Sequence, residues 1–413
     1  MQLRFRRPTV ADAAVLLLLL TLVTPNVRLG SALDARIELF WLPILLVALL
    51  PRLKVPRLAL LLGIFWVWLA LATLLSLWRG SPGSLTPVVA LGLVRPALLV
   101  VVFYSLKFRP KDLTRALRGF VYLAIPLGAL AVAQALNFGP AVALTLRAYA
   151  SGARGALAGQ LVEYGRLSRA TATFEVPAYA AVYFLLVIGT ALWLLTSKTP
   201  RPSRAQRALL VVGSVAALLG GIMTLSSTFI AGFAALVVLL LAVSPWPARV
   251  RLVALGVAGG ALALPLLVEA LRRSPVAIGS LSYQVQRLGQ LNVFATRFGE
   301  DGLLVPTVAA IGQAPLIGWG FLAQPGIFLG DSAFIVWLYL GGAVGLAMML
   351  AVLGSCAVQA WRVPQFGVIV LVWLVTLLVT GAGAPSFSIP RLGEWWWALA
   401  AITAAGTRRW VRS

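Results

Sequence analysis

The chain predicts an all-α polytopic membrane protein of about twelve transmembrane helices with two long loops on one side. Three observations predict it. Of its 413 residues, 61% are hydrophobic and only 11% charged, with a mean hydropathy of +0.97, far outside the range of soluble domains. The apolar residues fall in continuous runs, whereas barrel strands would alternate apolar and polar positions. The basic residues recur on alternate sides of those runs, which is the signature of membrane topology.

A bilayer core needs about 20 apolar residues per spanning helix. The runs bounded by charges or by Pro/Gly breaks lie near 10–27, 37–51, 56–78, 86–106, 116–138, 174–196, 208–224, 227–243, 252–271, 331–353, 366–384 and 394–408. No small-residue cleavage site follows the first apolar run, so it is read as a span and not as a secretory signal. The net charge of +23 would point to nucleic acid in a soluble protein, but its placement excludes that reading here. With Arg4, Arg6 and Arg7 on the cytoplasmic side, the inward segments hold 21 of the 34 basic residues and two acids, Asp12 and Asp112. Both termini then lie inside, and every loop obeys the positive-inside rule.

The single cysteine, Cys356, and the lack of any histidine exclude an internal disulfide and a Cys/His zinc site. Cys356 reads as a small apolar helix residue. No metal and no cofactor are expected.

Two outward segments, 139–173 and 272–330, are too long to be simple connectors. They carry Arg147, Arg154, Glu163, Arg166, Arg169, Arg272, Arg273, Arg287, Arg297, Glu300 and Asp301, and no lysine. Arginine presents a planar fork of donors that grips phosphate in a bidentate way, so a phosphorylated substrate follows. Pairing with local carboxylates or with lipid headgroups is the alternative use of the same side chains. The first segment ends at Arg166 and Arg169, then Glu175, and runs into a span at Pro177, which suits a first helical turn. Helix N-termini attract anions, so arginines beside this one would make a pyrophosphate clamp. In the second segment, Leu303–Ile311 is apolar but too short to span, and Gly318 and Gly320 flank Trp319, which allows a sharp turn. From Gln313 to Leu346 a Gly/Pro-broken loop delivers one acid, Asp331, to the mouth of a hydrophobic helix.

Inside the spans, Arg95 precedes Pro96 and Glu269 lies near the end of the ninth run; such charges line cavities or snorkel. Arg391 either faces the same vestibule or, the favoured reading, pairs with nearby Glu394. Trp395, Trp396 and Trp397 read as an interfacial aromatic belt.

Three segments carry a resemblance to a known family. RATATFEVPAY (169–179) resembles the stretch that runs roughly R-x-x-G-T-F-x-N-P-N in the O-antigen ligase and polymerase superfamily, with Arg169 and Pro177 in register. LSSTFIAGFAAL (225–236) is similar to its short outward T-L-S-R-G turn. Residues 315–346 resemble its P-L-x-G-x-G signature followed by H-N and a glycine-spaced helix. Three positions depart from the pattern: the family Gly is Ala172, the Asn before the proline is Val176, and the His-Asn pair is Asp331-Ser332.

The resemblance implies a GT-C-like fold and glycosyl transfer on the outer face of the bacterial inner membrane. The donor it implies is an undecaprenyl-pyrophosphate-linked oligosaccharide, the acceptor a glycan hydroxyl. Membrane lipids and a chain-length-regulating membrane protein are the other partners implied, and nucleic acid is not one. The missing histidine tilts the reading toward the polymerase branch, with a ligase as the alternative. Arg169, Arg297 and Asp331 are the implied catalytic residues; Arg166, Arg287, Glu163, Glu175 and Arg95 are substrate-binding candidates. Arg287 and Arg297 both remain open as the second clamp. Asp331 is open as a base, as an orienter of the acceptor hydroxyl, or as an N-cap. A lipid-linked-oligosaccharide flippase is the rival from another class, but transporters show related halves and midplane charges. No internal repeat is found here, and the polar residues sit in outward loops. The acidic loop context expected of SEDS glycan polymerases is also missing.

Overall fold

The computed structural model describes residues 9–24, 27–29, 33–35, 37–81, 83–85, 87–146, 162–163, 166–167, 169–197, 201–243, 302–324, 326–329, 332–363 and 366–409. They form a bundle of helices: α1 (Val10–Val23), α2 (Glu38–Leu49), α3 (Arg57–Trp78), α4 (Pro87–Ser105), α5 (Pro110–Tyr122), α6 (Ala124–Ala135), α7 (Gly139–Leu144), α8 (Pro177–Thr196), α9 (Arg204–Met223), α10 (Ser227–Val243), α11 (Val305–Gln313), α12 (Ala333–Trp361), α13 (Gly367–Thr380) and α14 (Leu392–Arg409). Among the described residues strand is confined to three antiparallel pairs: β1 (Val27–Leu29) with β2 (Leu33–Ala35), β3 (Ser84–Leu85) with β6 (Leu322–Ala323), and β4 (Val162–Glu163) with β5 (Arg166–Leu167).

Every apolar run except 252–271, which lies outside the described residues, contains helix. Among the described residues five helical stretches are long and apolar enough to cross a membrane: Arg57–Trp78, Pro110–Ala135, Pro177–Thr196, Arg204–Met223 and Ala333–Trp361. Val10–Val23, Phe40–Arg52, Val94–Ser105, Ser227–Leu239 and Gly367–Thr380 are shorter apolar helices. Large apolar side chains such as Ile44, Val67, Leu74 and Val238 stand more than 60% exposed. Water would penalise such a surface and hydrocarbon would not.

Local chemistry sets the helix ends. Thr9 Oγ1 accepts from the Asp12 amide while Asp12 Oδ2 accepts from the Thr9 amide, a capping box that opens α1. Ser203 and Gln206 do the same for α9. The run expected as one span at 116–138 is interrupted only at Leu123, between α5 and α6, where Pro126 has no N–H to give the carbonyl of Tyr122 four residues earlier.

Helix α8 is the most buried of the long stretches, with 83% of its apolar window inside the protein, and it packs against α5, α9, α10 and α13. Phe120 of α5 anchors the centre. Its ring lies 5.1 Å from Tyr183, 5.0 Å from Trp373 and 4.8 Å from Trp395. The Tyr183 hydroxyl donates to the Phe120 carbonyl, and Trp373 Nε1 donates to Thr190 Oγ1. The aromatic belt expected at 395–397 is overturned: all three tryptophans are buried, Trp395 donating to the Leu18 carbonyl and Trp397 to the Phe387 carbonyl. Helix α14 contacts α1, α4, α12 and α13, so its rings fill the interior. Cys356 is buried in α12, as a small apolar residue would be.

Helix α12 is broken within its apolar run. Gly342 has φ 62° and ψ −163°, and the turn at 315–320 supplies what the break removes. The Ala343 amide donates to the Pro315 carbonyl (2.7 Å), while the Trp319 and Gly320 amides donate to the carbonyls of Tyr339 and Leu340 (2.9 and 2.8 Å). Trp68 Nε1 takes the Gly341 carbonyl, and Thr73 Oγ1 accepts the Phe321 amide. Gly318 and Gly320 have φ +77° and +63°, the sharp turn expected around Trp319. A Cβ at Gly342 would overlap the Leu316 carbonyl carbon, and one at Gly318 would meet the Gly342 nitrogen at 2.5 Å.

Gly342→Ala therefore combines a left-handed backbone with an overlap and should lower stability by about 2 kcal/mol or more. Gly354→Ala, in the same helix but facing open space, should gain about 0.5–1 kcal/mol. Thermal melting in detergent compares them, and equal melting of the two variants would remove the break from the determinants of the fold.

Candidate functional site

The loop that carries Arg169 lies at one end of the bundle, where the C-terminal ends of α1, α6, α9 and α13 meet the N-terminal ends of α8, α10, α12 and α14. Four segments converge there: residues 169–175, the turn 224–226, the start of α12, and the loop 381–391.

Gln134, near the end of α6 and fully buried, holds the first of these by both ends of its amide. Its Oε1 accepts from the amides of Thr171 (3.0 Å) and Ala172 (2.8 Å), and its Nε2 donates to the Ala172 carbonyl (2.9 Å) and to Thr145 Oγ1. Ala172, where the resembled pattern has glycine, adopts φ 49°. The glutamine satisfies both its N–H and its C=O, which stabilises a conformation an alanine rarely takes. Thr173 Oγ1 donates to the Leu22 carbonyl at the end of α1.

Arg169 is half-buried and reaches across to the neighbouring turn. Its Nε donates to the Thr224 carbonyl at 3.0 Å, and the Ala170 amide donates to Met223. The 169–179 motif is thereby tied to residues 223 and 224, immediately before the 225–236 motif. Helix α8 begins at Pro177, as expected, with Val176 as its N-cap and no capping side chain. Glu175 is half-buried just before it.

The third and fourth segments close on one another. The N-cap of α12 is Ser332: its Oγ accepts from the Ile335 amide and donates to the Gly381 carbonyl at 3.0 Å. The Ala333 amide donates to the same carbonyl. Ser332 thus supplies the N-cap of α12. Thr228 Oγ1, in the first turn of α10, donates to Gly383, and Thr380 and Ser386 share a buried hydrogen bond of 2.8 Å.

Arg391, 3% exposed, has φ 75°, donates through Nη1 to the Thr173 carbonyl and lies 5.9 Å over the Phe174 ring. Glu394, 1% exposed, takes its ion pair from Arg95 of α4, Oε1 to Nη1 at 3.0 Å, which corrects the expected pairing with Arg391. That contact is a charge pair with a poorly aligned N–H, and Glu394 Oε2 has no hydrogen-bond partner among the described residues. The buried hydroxyl of Thr171 has none either. Asn137, Ala172, Leu225 and Arg391, all at this end, are the non-glycine residues with positive φ among the described residues. Such outliers gather where structure is over-determined for a purpose.

Glu163 and Arg166 are register partners across the β4–β5 hairpin. Asp331, Arg287, Arg297, Arg147, Arg154, Glu269, Arg272, Arg273, Glu300 and Asp301 lie outside the described residues. Among the described residues no three His, Cys, Asp or Glu side chains gather as metal ligands would. The sequence reading did not single out Gln134, although a lone amide in an apolar run was the available signal. Neither a scan against protein-family models nor a search of curated proteins returns a match for this chain.

Two outcomes follow. Arg95→Leu should cost about 3–5 kcal/mol by leaving Glu394 buried without its counter-ion, whereas Arg95→Leu with Glu394→Leu should recover most of the loss; detergent melting curves of the three proteins decide it. Gln134→Leu should cost about 1–3 kcal/mol for each amide it strands and speed hydrogen exchange at 170–174. Unchanged exchange there would show that the clamp is dispensable.

Proposed function

We propose that this chain is a membrane glycosyltransferase of the O-antigen polymerase type, with twelve spans in a GT-C-like arrangement and both termini cytoplasmic. It would extend undecaprenyl-pyrophosphate-linked glycan on the outer face of the inner membrane. One observation carries the reading: the three segments whose residues resemble that superfamily, far apart in sequence, have Arg169, Thr228 and Ser332 at the same end of the bundle.

The chemistry asks for little beyond what these residues offer. An acceptor hydroxyl attacks the anomeric carbon, its new C–O bond forms as the bond to the pyrophosphate breaks, and the configuration inverts. Charge builds on the departing pyrophosphate. Arginines neutralise it without a metal ion: Arg169 and Arg166 from the first loop, with Arg287 or Arg297 from the second. The hydroxyl proton passes to Asp331 or, where Asp331 only orients the hydroxyl, to solvent. In the sequence Asp331 directly precedes Ser332, the N-cap of α12.

Purified protein given undecaprenyl-pyrophosphate oligosaccharide should make longer lipid-linked chains. Arg169→Ala should lower the rate by about 100-fold or more, and Arg169→Lys should restore part of it, because a point charge replaces the fork. Asp331→Ala should cost about 100-fold if the acid is the base and less if it orients. Elongation of a lipid A core acceptor alone would make the enzyme a ligase. Movement of the lipid-linked substrate between leaflets with no new glycosidic bond would end the enzyme reading.

A further inference from the structure

The opposite end of the bundle holds a second built site. Loop 50–54 after α2 is tied to the end of α4, where the Lys54 amide donates to Ser105 Oγ at 2.9 Å and Ser105 donates on to the Val101 carbonyl. This tie encloses a concavity of about 830 Å³ between α1, α2, α4 and α5. Four cations line it: Arg52, Lys54, Lys107 and Arg109. Asp112, also in the lining, is taken by Arg109, with Nε 2.9 Å from Oδ2 and Nη2 3.2 Å from Oδ1. Arg52, Lys54 and Lys107 are exposed and have no ion-pair partner among the described residues. Three positive charges therefore line one cavity with no ion-pair partner among the described residues.

Apolar residues, including Leu49 and Leu106, share the lining with these charges. On α2 and in the loop after it, Ile44, Val47, Leu50 and Val55 are 58–67% exposed, so the segment that carries Arg52 and Lys54 also presents a surface suited to hydrocarbon. A small soluble anion would use the charges and ignore that surface. A lipid phosphate uses both.

The geometry points to a binding site for an anionic glycerophospholipid of the phosphatidylglycerol class. Its phosphodiester lies among Arg52, Lys54 and Lys107, and its acyl chains run along α2. The site is separate from the arginine loop and does not depend on the glycosyl-transfer reading. It is also more specific than a general surplus of charge on this side, because Arg201, Arg204 and Arg207 are exposed at the same end and do not line the cavity.

The test uses the full chain in phosphatidylcholine nanodiscs doped with phosphatidylglycerol, with bound lipid read by native mass spectrometry. Wild-type protein should retain phosphatidylglycerol in preference to phosphatidylcholine. Loss of each cation should weaken retention about five-fold, so the triple Arg52→Ala, Lys54→Ala, Lys107→Ala should lose roughly 100-fold. The triple Arg201→Ala, Arg204→Ala, Arg207→Ala should stay within about two-fold of wild type. Arg52→Lys, Lys54→Arg, Lys107→Arg keeps the charges and should keep the lipid, which separates the site from a folding defect. Equal retention of the two lipids by wild type overturns the proposal, as does full retention by the first triple variant. Equal loss in the control triple, loss in the charge-conserving swap, or complete displacement by inorganic phosphate also overturns it.

Discussion

A backbone amide that leaves helical geometry inside an apolar protein must find its partner in the protein, because the surrounding hydrocarbon offers none. That constraint organises both ends of the non-helical structure here. At Gly342 the α12 ladder is interrupted, and the 315–320 turn exchanges backbone hydrogen bonds with both sides of the break. At Thr171 and Ala172 a single side chain, Gln134, satisfies two amides and a carbonyl. In each case the irregular segment is fixed more firmly than a solvated loop would be. The loops that form the candidate site are therefore parts of the packed interior.

This firmness bears on what the site can do. The loop from Arg169 to Glu175 is held by Gln134 from α6, by Thr173 reaching the end of α1, by Arg169 reaching the turn after α9, and by Arg391 from the start of α14. Stabilising a charge that develops during reaction is most effective when the donors are already in place and need not reorganise. A loop pinned to four helices meets that condition. Its cost is visible in the left-handed residues Ala172, Leu225 and Arg391, each of which a less constrained chain would avoid.

The apolar runs made the helices legible, and the pattern around Gly318 and Gly320 made the turn legible. The break at Gly342 was not, because no charge or proline interrupts the run after Ser332 and the partner that permits the break lies outside the run. Gln134 could be noticed as an amide among apolar residues, but its partners are 37 and 38 positions away, beyond any local period. The tryptophans at 395–397 were misplaced for a related reason. Composition does not separate an aromatic at the bilayer edge from one in a bundle interior; only the surrounding helices do, and α14 is enclosed by four of them.

The pairing of Glu394 shows why sequence proximity misleads at a helix start. Arg391 and Glu394 are three residues apart, a spacing that brings side chains together on a continuous helix. Here the helix begins at Leu392, and Arg391 stands before it with φ 75°. A left-handed residue turns its side chain away from the face its successors follow. The guanidinium of Arg391 accordingly goes to Thr173 and Phe174, while Glu394, in the first turn, faces α4 and meets Arg95. Two charges are thus assigned to two different neighbours, one holding the arginine loop and one holding α14 to α4. A local Arg391–Glu394 pair would have held neither.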